Sequence, residues 1–137
     1  MHISPYFFVR GERKMNFYEL ELKDKVIKLR LTSGKALEIE KKTGVKLLDY
    51  IQDYSMTTII TLLRYLMMYD KPNVSIEDAS NVYDELIDSG RTIKEILYDV
   101  IYEGLVVSGF LTKGELDEMK NLVKEAHEKK KQEVLQK

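Results

Sequence analysis

Hydrophobic and polar positions alternate twice near the start of the chain. Tyr18, Leu20 and Leu22 are separated by Glu19 and Glu21, and Ile27, Leu29 and Leu31 by Lys28 and Arg30. Lys23-Asp24-Lys25 lies between the two runs. Period-two alternation on both sides of a short polar turn predicts a β-hairpin with one buried face. Its outer face would oppose Glu19 and Glu21 to Lys28 and Arg30, which contributes roughly a few tenths of a kcal/mol per pair. A lone hairpin is not stable in water, so its apolar face must rest on helices.

After the hairpin the period lengthens and helix punctuation appears. Thr32-Ser33 can cap a helix reaching Thr43, with Gly44 as a left-handed stop. Leu47, Leu48 and Ile51 make a short apolar stripe up to Asp53. Ser55 can cap an apolar helix from Met56 to Tyr69, ended by Asp70-Lys71-Pro72-Asn73. Ser75 with Asp78 has capping-box spacing, and Ala79, Val82, Tyr83, Leu86 and Ile87 then share one helical face up to Gly90. Thr92 with Glu95 caps the next helix, whose Ile93, Ile96, Leu97, Val100 and Ile101 should face inward. Thr112 with Glu115 caps the last, with Leu116, Met119, Val123 and Ala126 in one stripe.

That stripe fails beyond His127, because Lys130 and Glu133 fall where apolar residues should recur. Residues 128–137 therefore read as a solvated charged tail. Residues 1–14, MHISPYFFVRGERK, carry neither period. Gly11-Glu12 can be encoded as a purine-rich ribosome-binding sequence two codons before Met15, so Met15 reads as the start and 1–14 as a translated leader. The alternative is an ordered arm whose Tyr6, Phe7, Phe8 and Val9 cover a hydrophobic edge. Between the ends, residues 15–127 read as a single α+β domain, mostly α, with an N-terminal β-hairpin packed on about five helices.

Composition narrows the function. The chain has 137 residues, enough for one domain with a real core. Twenty-two basic residues against twenty-three acidic leave a formal charge of −1, which argues against nucleic acid as the main partner. Zero cysteines exclude disulfides, thiolate metal sites and cysteine nucleophiles. The most apolar run, Ile59 to Tyr69, is short of the ~20 residues a membrane span needs and contains Arg64. The N-terminus is a poor signal peptide. A cytoplasmic protein without membrane attachment is expected.

Candidate chemistry is sparse. Gly34, Gly44, Gly90, Gly104, Gly109 and Gly114 sit singly, with no phosphate-cradling loop. No nucleophile-elbow or zincin motif occurs. His127, beside Glu125 and Glu128, lacks a second imidazole or acid at ligand spacing. The acidic clusters Glu77-Asp78, Asp84-Glu85 and Glu115-Asp117-Glu118 fit helix first turns and outer faces better than any cation loop. No catalytic residue, no metal site and no cofactor are expected, and the chain does not read as an enzyme.

Binding is the better reading. On a wheel of residues 56–69, Met56, Ile59, Ile60, Leu62, Leu63, Leu66 and Met67 form one broad apolar face. Met68 points to the other side with Thr57, Thr61 and Arg64, flanked by Tyr65 and Tyr69. Tyr65, Met68 and Tyr69 are therefore candidate partner-binding residues, the alternative being a central helix packed on both sides. The unit Ile76–Leu86, Ser89-Gly90-Arg91, Thr92–Leu105 also has helix-turn-helix form. Its second helix would present Lys94, Glu95, Tyr98 and Asp99, too acidic a set for a phosphate-lined groove.

The hairpin followed by LRLTSGKALEIEKKTGVKLLDYI (29–51), an apolar helix, VYDELIDSG (82–90) and VIYEGLVVSGFL (100–111) resembles the tail assembly chaperones of long-tailed phages and prophages of Gram-positive bacteria. The resemblance runs from about Met15 to Glu125. It implies a non-enzymatic protein of the infected bacterial cytoplasm that binds the aggregation-prone tape measure protein, keeps it soluble and helps recruit tail tube subunits. Such proteins are absent from the mature virion. In many members a programmed frameshift yields a longer product, and Lys129-Lys130-Lys131 could be encoded by a slippery A-rich run. No catalytic residues carry over. A small structural or connector protein of the tail and a helix-turn-helix regulator remain as alternatives, and self-association stays open.

Overall fold

In a computed structural model, residues 16–122 are described. The readings of 1–14 as leader and of 128–137 as tail lie outside them, as do Val123, Ala126 and His127.

The domain is mostly helical with an N-terminal antiparallel hairpin, as the periodicity predicts. Strands β1 (Tyr18–Glu21) and β2 (Val26–Leu29) pair Tyr18 with Leu29, Glu19 with Lys28, Leu20 with Ile27 and Glu21 with Val26. The Leu22 amide donates to the Lys25 carbonyl at 2.8 Å, leaving a two-residue turn at Lys23-Asp24. That tight turn corrects one cross-strand expectation. Glu19 faces Lys28, but Glu21 faces Val26, and Arg30 lies past the ladder, where its Nη1 donates to the Asn16 carbonyl at 2.6 Å.

Helix α1 (Ser33–Thr43) starts where Thr32 Oγ1 accepts from the Lys35 amide and stops at Gly44, whose φ of 72° is the left-handed stop expected there. The one-turn α2 (Leu47–Tyr50) and then α3 (Met56–Met67) follow, the latter capped by Ser55. The Asp53 carboxylate reinforces that cap by accepting from the Ser55 amide at 3.1 Å and Thr58 Oγ1 at 2.9 Å. These hydrogen bonds, led by Thr58, hold Asp53 below the ordinary carboxylate pKa. Helix α4 (Ile76–Asp88) opens on the Ser75–Asp78 capping box, and α5 (Ile93–Ile96) on the Thr92–Glu95 box. The last described helix, α7 (113–122), begins with Thr112 and Glu115 bonded reciprocally.

The expected helix from Thr92 is interrupted. Residues Leu97–Ile101 form a π-turn, in which the Tyr102 amide reaches back five residues to the Leu97 carbonyl, before α6 (Tyr102–Val107) resumes the normal pitch. The wider turn rotates the later residues about the axis. Tyr102 and Leu105 thereby join Ile96, Leu97, Val100 and Ile101 in the core, while Ile93, expected inside, stays 40% exposed.

Helix α3 is the centre. It packs against β2, α4 and the π-turn, while β1 rests on α6. The Arg30 amide donates to the Leu66 carbonyl at 3.1 Å and the Leu31 amide to Ser108 Oγ at 2.8 Å, which ties the end of the hairpin to α3 and to the end of α6. Arg64, the one charge in the apolar helix, spends its Nε on the Val74 carbonyl at 2.9 Å and so fixes the loop before α4. Among the described residues, no helix is long and apolar enough to cross a membrane.

A candidate partner-binding groove between α1 and α2

The three residues singled out on α3 do not share one open surface. Tyr65 is only 2% exposed, because α1 covers the side of α3 that the helical wheel leaves free. The Tyr65 hydroxyl serves the Glu38 carboxylate of α1 and is the first cause holding Glu38 below its usual pKa. Lys42 lies 6.0 Å and Arg64 5.8 Å from the Tyr65 ring centroid. Met68 is half-buried against the core. Tyr69 is more open, but the Phe17 ring lies 6.0 Å from its ring, and Lys28 sits 5.1 Å over Phe17. Placing Tyr65 on an outward flank is thus corrected: its ring joins α1 to α3.

The apolar surface opens elsewhere. A groove of 730 Å³ lies between α1 and α2 and is lined also by Gly109 and Phe110. Ala36 and Leu47 form its floor, while Leu37 and Leu48 stand in its walls, each 55% exposed. Val45, in the connection between the two helices, is 40% exposed. The local sequence makes this shape. Gly44 turns the chain sharply, and the Glu40 carboxylate accepts from the Leu47 amide at 2.8 Å, so the start of α2 is pinned against the last turns of α1. Neither Leu37 nor Phe110 stands out in the sequence. Leu48 offers a signal: adjacent leucines on a one-turn helix point about 100° apart, so both cannot be buried against one neighbour.

Other recesses and clusters are spent within the fold. A cavity of 330 Å³ between the hairpin turn and α4 is rimmed by Lys25, Lys71, Asp78 and Glu85, charges of both signs. Lys113 and Lys120 of α7 approach Glu103 at 3.2 and 3.6 Å, and Lys120 approaches Asp99 at 3.2 Å, which straps α7 to α6. The Glu103 carboxylate raises the Lys113 pKa through that hydrogen bond. Tyr102 donates its buried hydroxyl to the Ile51 carbonyl, and the Tyr98 ring meets it edge-on at 5.4 Å. Of the helix-turn-helix candidates, Glu95 is in its capping box, Tyr98 is stacked on Tyr102 and Asp99 is paired with Lys120. Among the described residues, no group of three or more His, Cys, Asp or Glu side chains is placed to hold a metal ion.

Comparison with protein-family models, curated proteins and solved structures finds no match to this chain.

Proposed function

We propose that this chain is a tail assembly chaperone: it binds the phage tape measure protein, keeps it soluble in the bacterial cytoplasm and helps recruit tail tube subunits, without entering the mature virion. The observation that carries this reading is the α1–α2 groove, which is lined by Leu37 and Leu48, each 55% exposed. Contiguous apolar surface left in water marks a place where another protein docks. A long helical polymer presents apolar stripes repeatedly, and many copies of a small domain can cover them through individually weak contacts. The formal charge of −1 lets such contacts form without strong selection by charge. No step of this role is enzymatic.

Co-expression with the cognate tape measure protein is the test. The tape measure protein is expected in the soluble fraction, with many copies of this chain co-purifying per molecule. A tape measure protein that stays insoluble at equal expression refutes the reading. Stoichiometric recovery of this chain from purified particles would make it a tail component instead, and DNA retardation at physiological salt would make it a regulator.

A further inference from the structure

We infer that the outer edge of β1 takes up a basic extended segment of another protein as a third strand, with lysine or arginine at alternate positions and an apolar residue between them. This edge shares no residue with the α1–α2 groove and does not depend on the chaperone reading.

The hairpin register opens the edge. The Leu22 amide donates to the Lys25 carbonyl, so these two residues are a hydrogen-bonded pair, and such pairs alternate along an antiparallel ladder. Leu20–Ile27 and Tyr18–Leu29 are the next bonded pairs, which turns the N–H and C=O groups of Glu19 and Glu21 away from β2. Among the described residues, no turn, loop or cap hydrogen bond uses them. The far edge of the hairpin is different: the Arg30 amide, just past β2, donates to the Leu66 carbonyl of α3 at 3.1 Å. An extended chain beside β1 can bond the free edge groups. A helix, whose amides are already bonded internally, cannot.

Charge then selects among extended chains. Glu19 and Glu21 are exposed, and neither is in an ion pair among the described residues. The hairpin's own cations are drawn elsewhere, Lys28 to the Phe17 ring at 5.1 Å and Arg30 to the Asn16 carbonyl at 2.6 Å. A strand added to β1 sets its side chains roughly 4.5–5.5 Å from those of Glu19 and Glu21, where lysine or arginine is attracted and a carboxylate repelled. The β1 edge of a second copy, paired antiparallel, would place glutamate opposite glutamate, so the partner is not this chain. On the inner face Tyr18 and Leu22 flank the buried Leu20 and are themselves only half-buried, which suits an apolar residue between the two basic ones.

The test uses the full chain and a short fluorescein-labelled peptide of alternating lysine and valine. Wild type is expected to raise its anisotropy saturably. In the added strand the lysine amides face β1 and the valine amides face away. N-methylation of the lysine amides should therefore raise Kd at least about tenfold, and N-methylation of the valine amides should not. Glu19→Lys/Glu21→Lys should weaken the lysine peptide at least about tenfold and bind its glutamate-valine counterpart. Asp84→Lys/Asp88→Lys, at exposed positions on α4, changes the net charge equally and should leave Kd unchanged. Melting curves check that both variants fold, and if the hairpin variant does not, the two methylated peptides decide on wild type alone. No saturable binding by wild type overturns the inference. Equal binding of the two methylated peptides, or an equal loss in the α4 variant, also overturns it, because attraction between net charges would then explain the binding. So does a wild-type dimer in sedimentation that Glu19→Lys/Glu21→Lys dissociates, since a second copy would then occupy the edge.

Discussion

Gly104→Ala sets two effects of known size against each other. In a helix interior, replacing glycine with alanine ordinarily stabilises by about 0.8–1 kcal/mol. At Gly104 of α6, however, the added Cβ would stand 3.1 Å from Leu66 Cδ2, 3.4 Å from Leu66 Cδ1 and 3.7 Å from Leu29 Cβ. Carbon pairs prefer ~3.5–4.0 Å, so the closest of these contacts is repulsive. Relief would have to come from the Leu66 side chain, but Leu66 and Leu29 are both fully buried, and the Leu66 carbonyl also holds the Arg30 amide. Overpacking of this kind costs about 1–3 kcal/mol, which exceeds the propensity gain and leaves a net loss of about 1 kcal/mol. For a domain of this size that is a fall in Tm of about 3–6 °C. Urea denaturation gives the free energy, and the same substitution at Gly34, where nothing lies within 4 Å of the new Cβ, serves as the control. Gly34→Ala should be no less stable than wild type. If Gly104→Ala is also as stable as wild type, α6 does not approach α3 and the hairpin as closely as described.

Leu63→Ala, at a fully buried position on α3, should cost about 2–5 kcal/mol in denaturant melts, against about ±0.5 kcal/mol for exposed Lys41→Ala. Tyr102→Phe keeps the ring but orphans the Ile51 carbonyl, so it should cost about 1–3 kcal/mol, and an unchanged melt would mean that this hydroxyl is not the carbonyl's partner. Burial, then Tyr54, pushes the Tyr98 phenol up to about 12, and burial raises Tyr102 as well. Unfolded phenols ionise near ~10, so the folded state favours the neutral form: its contribution is complete below about pH 10 and is lost as pH rises toward 12. Melting temperature followed with phenolate absorbance should therefore fall across that window, and a flat profile would refute the burial of these rings.

What the sequence discloses, and what it withholds, divides by the range of the interaction responsible. Caps need only residues three apart, so Ser75–Asp78, Thr92–Glu95 and Thr112–Glu115 are legible without any knowledge of the fold, and each forms as its spacing dictates. The hairpin's buried face is legible for the same reason. Its register is not, because a turn two residues longer would set Arg30 opposite Glu19, whereas the observed turn leaves Arg30 past the strand. The π-turn is harder still. Ile96, Leu97, Val100 and Ile101 fit an ordinary helical stripe, and the contacts that accompany the wider turn, Tyr102 on Ile51 and Gly104 against Leu66, come from distant parts of the chain. A helical wheel likewise gives directions around α3 but not what stands in them. Tyr65 points away from the main stripe and is buried all the same, since α1 lies there. The groove combines both cases. Leu47-Leu48 on a single turn forces one leucine outward, a conflict written locally. Leu37 follows Ala36 on α1, and only the placement of α2 and Phe110 makes it the wall of a groove rather than a solitary exposed leucine.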